Sequence, residues 1–205
     1  MTQSDDMLQR SDSSSCTNKQ RVIQIMKAGW VPAKKVCLSI SGYSMYPLLH
    51  PGSKVTISTH INPDRILIGD IVVIATQQHP GIIAHQGIMA HRVIFIRKRK
   101  GKPVSFLTKG DMNRAFDKAI SQDQILGKIV AIQKKNGLIN ISKVSWRIAG
   151  FLIAVSSGTF GLIHQWIDRR LLSSGKKRSE IGSWLCRLNF LAHRIFLYTI
   201  ILSMQ

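Results

Sequence analysis

From about residue 34 to residue 142 the chain alternates short apolar and β-branched runs with turns marked by glycine and proline, the pattern of half-buried strands. Residues 36–40 lead into Ser41-Gly42, residues 54–58 follow Pro51-Gly52, and residues 71–75 follow Gly69-Asp70. Residues 88–97 are apolar and then basic, and residues 104–108 end at Lys109-Gly110-Asp111. Residues 125–134 and 138–142 flank Asn136-Gly137, a dipeptide that tolerates the positive φ angles of a tight hairpin. No strand–helix–strand rhythm intervenes, so the pattern predicts a mainly β domain.

After residue 143 the texture changes. Residues 148–167 carry no formal charge and are long enough to span a bilayer, although Ser156, Ser157, Thr159, His164 and Gln165 interrupt the apolar run. A basic break from Arg169-Arg170 to Lys176-Lys177-Arg178 separates it from a second apolar stretch, 184–204, which contains Arg187, His193 and Arg194. Two helices are expected: a membrane hairpin, an interfacial pair, or a cap on the β domain. Basic amphipathic helices bearing Trp and Phe favour a membrane surface, so attachment through this C-terminal two-helix appendage is expected. Positive charge on both sides leaves its orientation unreadable. At the other end, residues 1–20 read as a disordered polar tail, and residues 21–30 as a short helix or lead-in strand. The apolar run at 22–26 is too short for a secretory h-region. The organisation is a tail (1–20), a β-rich domain (21–142) and an apolar, basic helical region (143–205).

Charge narrows the partners. The 205 residues include 29 Lys+Arg against 10 Asp+Glu, a formal charge of +19. Such an excess attracts nucleic acid, anionic lipid or acidic substrates. No helix-turn-helix, zinc finger or aromatic RNA-binding box is visible, so nucleic acid is not expected. Basic clusters at 97–102, 134–135 and 169–178 lie beside apolar segments and suit an anionic membrane. Cys16, Cys37 and Cys186 are odd in number, widely spaced and without a CxxC, so they read as free thiols. His79, His85 and His91 are regularly spaced, but no cysteine or paired carboxylate completes a metal site. Neither a metal nor a cofactor is expected.

The segment Ser41-Gly42-Tyr43-Ser44-Met45-Tyr46-Pro47-Leu48-Leu49 is the most informative in the chain. A strand ends in glycine, which permits a sharp turn and close approach of a substrate; Pro47 fixes the exit. Such a turn presents the Ser44 hydroxyl at a sheet edge. A serine hydroxyl is a weak nucleophile at neutral pH and needs a base. His91, inside a strand-like run, is the candidate, with His50 a minor rival. A histidine base needs a carboxylate to hold its tautomer, and the loop Lys109-Gly110-Asp111-Met112-Asn113-Arg114-Ala115-Phe116-Asp117 offers Asp111 and Asp117.

Together these segments resemble signal peptidase I. The order is G-x-S-M-x-P at residues 42–47, G-D-I-V-V at 69–73, H-R-V-I at 91–94, T-K-G-D-x-N-x-x-x-D at 108–117 and G-K-I-V at 127–130. The resemblance covers about residues 36–132. Histidine stands at 91 where the common bacterial enzymes carry lysine, so the chain is similar to the endoplasmic-reticulum, archaeal and sporulation-type branch. That resemblance implies a β-rich fold shared with LexA-like repressors. It implies Ser44 as nucleophile and His91 as base, with Asp111 or Asp117 as the orienting carboxylate, the second being favoured. Lys109 receives no catalytic role. The Ser44 backbone N–H is the expected oxyanion donor. Gly42 occupies the position where many relatives place a second, serine donor. Met45, Tyr46 and Pro47 are expected at the substrate site, and Met45, Tyr46 and Leu48 could equally pack in the core or insert into lipid. Substrates would be peptides or preproteins with small residues before the cut, bound by strand addition. The competing expectation is an inactive or LexA-like binding module.

Overall fold

The computed structural model describes residues 35–59, 61–76, 87–134, 137–173 and 180–204. The tail at 1–20, the lead-in at 21–30, Cys16, His60, His79 and His85 lie outside the described residues. The strands are β1 (Lys35–Ser39), β2 (Lys54–Ser58), β3 (Ile71–Thr76), β4 (Gly87–Arg99), β5 (Lys102–Lys109), β6 (Ile120–Ser121), β7 (Ile125–Lys134) and β8 (Gly137–Asn140). Two helices follow, α1 (Val144–Ser173) and α2 (Glu180–Ser203). The mainly β expectation holds, and each expected strand forms. The two-residue β6 had no period from which to read it.

The strands make one curled antiparallel sheet in the order β1-β2-β7-β3-β4-β5-β6, with β8 paired to the far half of β7. Both faces are buried at its centre. On β3, Ile71 and Val73 enter one core, with Met45, Leu48, Val55, Ile129 and Ile132, while Val72 and Ile74 enter a second, with Val93, Phe106 and Ile120. That is why Ile71-Val72-Val73-Ile74 is a continuous apolar run instead of an alternating one. Register makes the two edges of the curl incomplete. Among the described residues β1 pairs only with β2, and the first residues of β4 pair only with β3, because β5 joins β4 from Arg92 onward.

The helices belong to the same core. Trp146 and Ile153 of α1 and Leu197 and Ile201 of α2 pack with Met45, Leu48 and Leu49. Small residues let α1 come close. A Cβ on Gly69 would sit 2.5 Å from the Gly150 carbonyl carbon, and one on Gly161 would sit 2.7 Å from the Phe116 ring. The opposite face of α1, with Ile148, Phe151, Leu152, Val155, Leu162 and Trp166, is exposed, as are Leu188, Leu191, Ile195 and Leu202 of α2. The segment Val144–Ile167 is long and apolar enough to cross a membrane, with 33% of its most apolar window buried inside the protein.

Candidate active site

Three elements build the site: the turn after β1, the interior of β4 and the loop after β5. In the turn, Tyr46 N–H donates to Tyr43 O and Leu49 N–H to Met45 O, while the Tyr46–Pro47 peptide is cis. Met45 and Leu48 are driven into the core, which decides against their insertion in lipid. Tyr46 instead packs edge-on against Tyr198 of α2, ring centroids 6.0 Å apart. Ser44 is left half-buried, with no hydrogen bond from its amide or its hydroxyl among the described residues.

β4 carries His91 and Arg92 in succession, and strand alternation sends their side chains to opposite faces. His91 lies across from Val72 and is 5% exposed. Its Nδ1 is 2.6 Å from Asp117 Oδ2. The same carboxylate oxygen accepts from Thr108 Oγ1 at 2.8 Å, and Asp117 N–H donates to Thr108 O at 2.9 Å, which fixes the end of the loop. Nδ1–H facing the carboxylate leaves Nε2 as the ring's acceptor in the neutral form.

Arg92 uses Asp111 instead. Its Nε and Nη2 donate to the two carboxylate oxygens at 2.8 and 2.6 Å, and its Nη1 to Gly69 O at 2.9 Å. Both side chains are buried, at 2% and 0% exposure. Of the two aspartates, Asp117 therefore meets the histidine, and Asp111 clamps the start of the loop to β4. The loop is also tied to the serine turn, since Met112 N–H donates to Ser44 O at 2.8 Å. No hydrogen bond joins Ser44 Oγ to His91 among the described residues. A serine–base contact of this kind is often long before substrate binds.

Lys109, Ser157 and His193 extend the network into the helices. Lys109 is buried and donates from Nζ to Ser157 Oγ at 2.7 Å. Burial pulls its ammonium down to about 8, against the opposing pull of Asp111 and Asp117. His193 is buried, with Nε2 3.3 Å from Asp111 O, and burial plus the Lys109 charge push it down to about 4. It is neutral at pH 7 and so donates from Nε2–H. Thr108, Arg92, Ser157 and His193 were not among the candidate site residues. The available signals were a charged residue inside an apolar strand, for Arg92, and Gly150, Ser157, Gly158 and Gly161 on one face of α1, which mark a close-packed side.

Beside Ser44 lies a groove of about 560 Å³, walled by Leu38 to Gly42 on one side and Ile88, Met89 and Ala90 on the other, with Met45, Val55 and Val73 beneath. Tyr46 and Pro47 do not line it. Gly42 stands in open space, so no side chain supplies a donor there. No group of three or more metal-ligating side chains occurs among the described residues. His50 points to Tyr46, ring centroids 4.7 Å apart, and donates its amide to Ser53 Oγ, as expected of a turn residue. Comparison with known protein families and with curated proteins gives no match to this sequence.

Proposed function

We propose that the chain is a serine endopeptidase of the signal peptidase type, which cleaves signal or leader peptides after small residues. The observation that carries the reading is the 2.6 Å pairing of His91 Nδ1 with Asp117, on a loop hydrogen-bonded to the backbone of Ser44. Ser44 Oγ attacks the scissile carbonyl while its proton passes to His91 Nε2. Asp117 holds the tautomer and offsets the imidazolium charge. The free Ser44 amide is the donor for the oxyanion. His91 then protonates the leaving amine, and a water that gives its proton to Nε2 releases the acyl group.

The groove supports a peptide in extended form. β1 and the first half of β4 each offer an edge without a strand partner among the described residues, and the two face one another across the groove beside Ser44. A substrate strand that enters this seam supplies the missing ladder, and side chains facing the apolar floor must be small. On this proposal the β-rich domain is of the signal peptidase type.

The same reading places the protein on a membrane surface through α1 and α2. One face of α1 is packed on the sheet and its other face is apolar and exposed, with Arg147, Arg169 and Arg170 near its ends. A helix so divided lies in the interface with its outer face in lipid. The anionic leaflet accounts for the excess positive charge without nucleic acid.

The test is incubation of wild type and Ser44→Ala with membranes and precursor peptides bearing A-x-A-like sites, with products read by mass spectrometry. Cleavage by wild type alone is expected. No cleavage by either folded protein sinks the peptidase reading in favour of a binding module.

A further inference from the structure

A second cavity, of about 440 Å³, sits where α1 begins to cross the sheet, and no step of the peptide chemistry uses it. Its floor is apolar, with the buried Leu48, Ile129 and Ile153, and Trp146 closes one wall. Its rim is basic. Arg65, Lys128 and Arg147 line it with a single carboxylate, Asp70, which Lys128 already holds at 3.1 Å. The deep Arg92 is matched by Asp111. Arg65 and Arg147 are exposed, and neither has a carboxylate partner among the described residues. Two guanidiniums from separate elements thus converge on one cavity without a counter-charge.

An anion resolves that repulsion, and the planar guanidinium fork suits the oxygens of a phosphate. The neighbouring surface says what the phosphate is attached to. Ile148 adjoins Arg147 and is 57% exposed, and Phe151, Leu152 and Val155 continue the apolar strip along α1. A soluble phosphate would satisfy the rim alone. An amphiphile with a phosphate head and acyl chains satisfies the rim and the strip together.

We infer that this cavity is a headgroup site for an anionic phospholipid, with Arg65 and Arg147 binding the phosphate and the outer face of α1 lying against the acyl chains. The inference rests on the membrane-surface part of the reading above and is independent of the peptidase part.

The experiment is co-sedimentation of the full chain with vesicles of phosphatidylcholine alone or mixed with phosphatidylglycerol. Wild type is compared with Arg65→Gln/Arg147→Gln and with Lys35→Gln/Lys54→Gln, which removes the same charge outside the cavity. At roughly 5-fold per basic residue near an anionic surface, the arginine pair should lose about 25-fold in binding to the mixed vesicles. The lysine pair, outside the cavity, should lose much less. Equal losses in the two variants would reduce the site to diffuse surface charge and overturn it, as would wild-type binding by the arginine variant. If wild type pellets on neutral vesicles as well as on the mixed ones, the membrane reading stands and the anionic headgroup site falls. If wild type pellets with neither vesicle, both fall. A last arm uses glycerol 3-phosphate without vesicles. Should it raise the melting temperature of wild type and not of the arginine variant, the site belongs to a soluble phosphate and the lipid assignment is wrong.

Discussion

Replacing Asp111 and Asp117 by asparagine, one at a time, should separate a structural role from a catalytic one. Asp111→Asn removes a charge that faces Arg92 through bonds of 2.6 and 2.8 Å, with both groups essentially out of solvent. A guanidinium left buried without its partner costs about 3–5 kcal/mol, and one remaining bond to the amide oxygen places this case at about 3 kcal/mol. Against the usual total of about 5–15 kcal/mol, that is a large fraction. For a chain of this size it lowers Tm by roughly 10 °C. Asp117 is 15% exposed, and its main-chain anchor to Thr108 survives substitution. Asp117→Asn should therefore change stability by only about 1 kcal/mol. It should nonetheless cut kcat by on the order of 10⁴, because the amide favours the wrong imidazole tautomer. Urea unfolding followed by tryptophan fluorescence reads the first effect, and cleavage of a leader peptide reads the second. The assignment fails if Asp111→Asn unfolds at the wild-type midpoint, or if Asp117→Asn is as destabilised as Asp111→Asn while keeping its activity.

The low position of His193 gives a pH effect of definite sign. Between pH 6.5 and about 4 the unfolded chain takes up a proton at this residue that the folded chain refuses, so stability falls as pH falls, by up to about 3 kcal/mol at pH 4. His193→Gln should flatten the pH dependence of the urea midpoint over that window. Lys109 acts in the alkaline range: from about pH 8 to 10.5 the unfolded chain holds the extra proton, and stability should rise with pH in wild type but not in Lys109→Met, as followed by thermal melts. Gly69→Ala should lower stability by more than about 2 kcal/mol in the same melts, since φ is +94° there and the added methyl meets the backbone of α1 at 2.5 Å. Deleting residues 143–205 should give an insoluble, inactive β domain in an expression assay, because it strips Trp146, Ile153, Leu197 and Ile201 from the main core.

The strands were legible because each apolar run ends at a turn residue, and β7–β8 forms the expected hairpin, although with Lys134 opposite Gly137, so Gly137 belongs to β8 instead of to an Asn136-Gly137 turn. Ser44, His91 and the aspartate loop were legible only as an ordered set of segments. Which aspartate meets His91 was not, since both lie in one short loop and the choice depends on how Asp117 folds back onto Thr108. The helices were readable as helices and not by their packing. An uncharged stretch of this length fits a bilayer, an interface or a protein core equally. What settles the inner faces of the two helices are pairings far apart in sequence, Lys109 with Ser157 of α1 and Asp111 O with His193 of α2. Periodicity reports which side of a helix is apolar, and α1 is apolar on both.

Because Leu197 and Ile201 close the core beneath Met45 and Leu49, the turn that carries Ser44 has no complete floor until the distal part of α2 has been made. On the ribosome, the β strands emerge first and must wait, with an open apolar seam, for α2 to return to them. Under the proposed function, the Ser44 site therefore takes shape only after α2 has left the ribosome. Ribosome stalling, a premature stop or clipping between α1 and α2 would leave a chain that exposes the apolar surface which Leu197 and Ile201 otherwise cover.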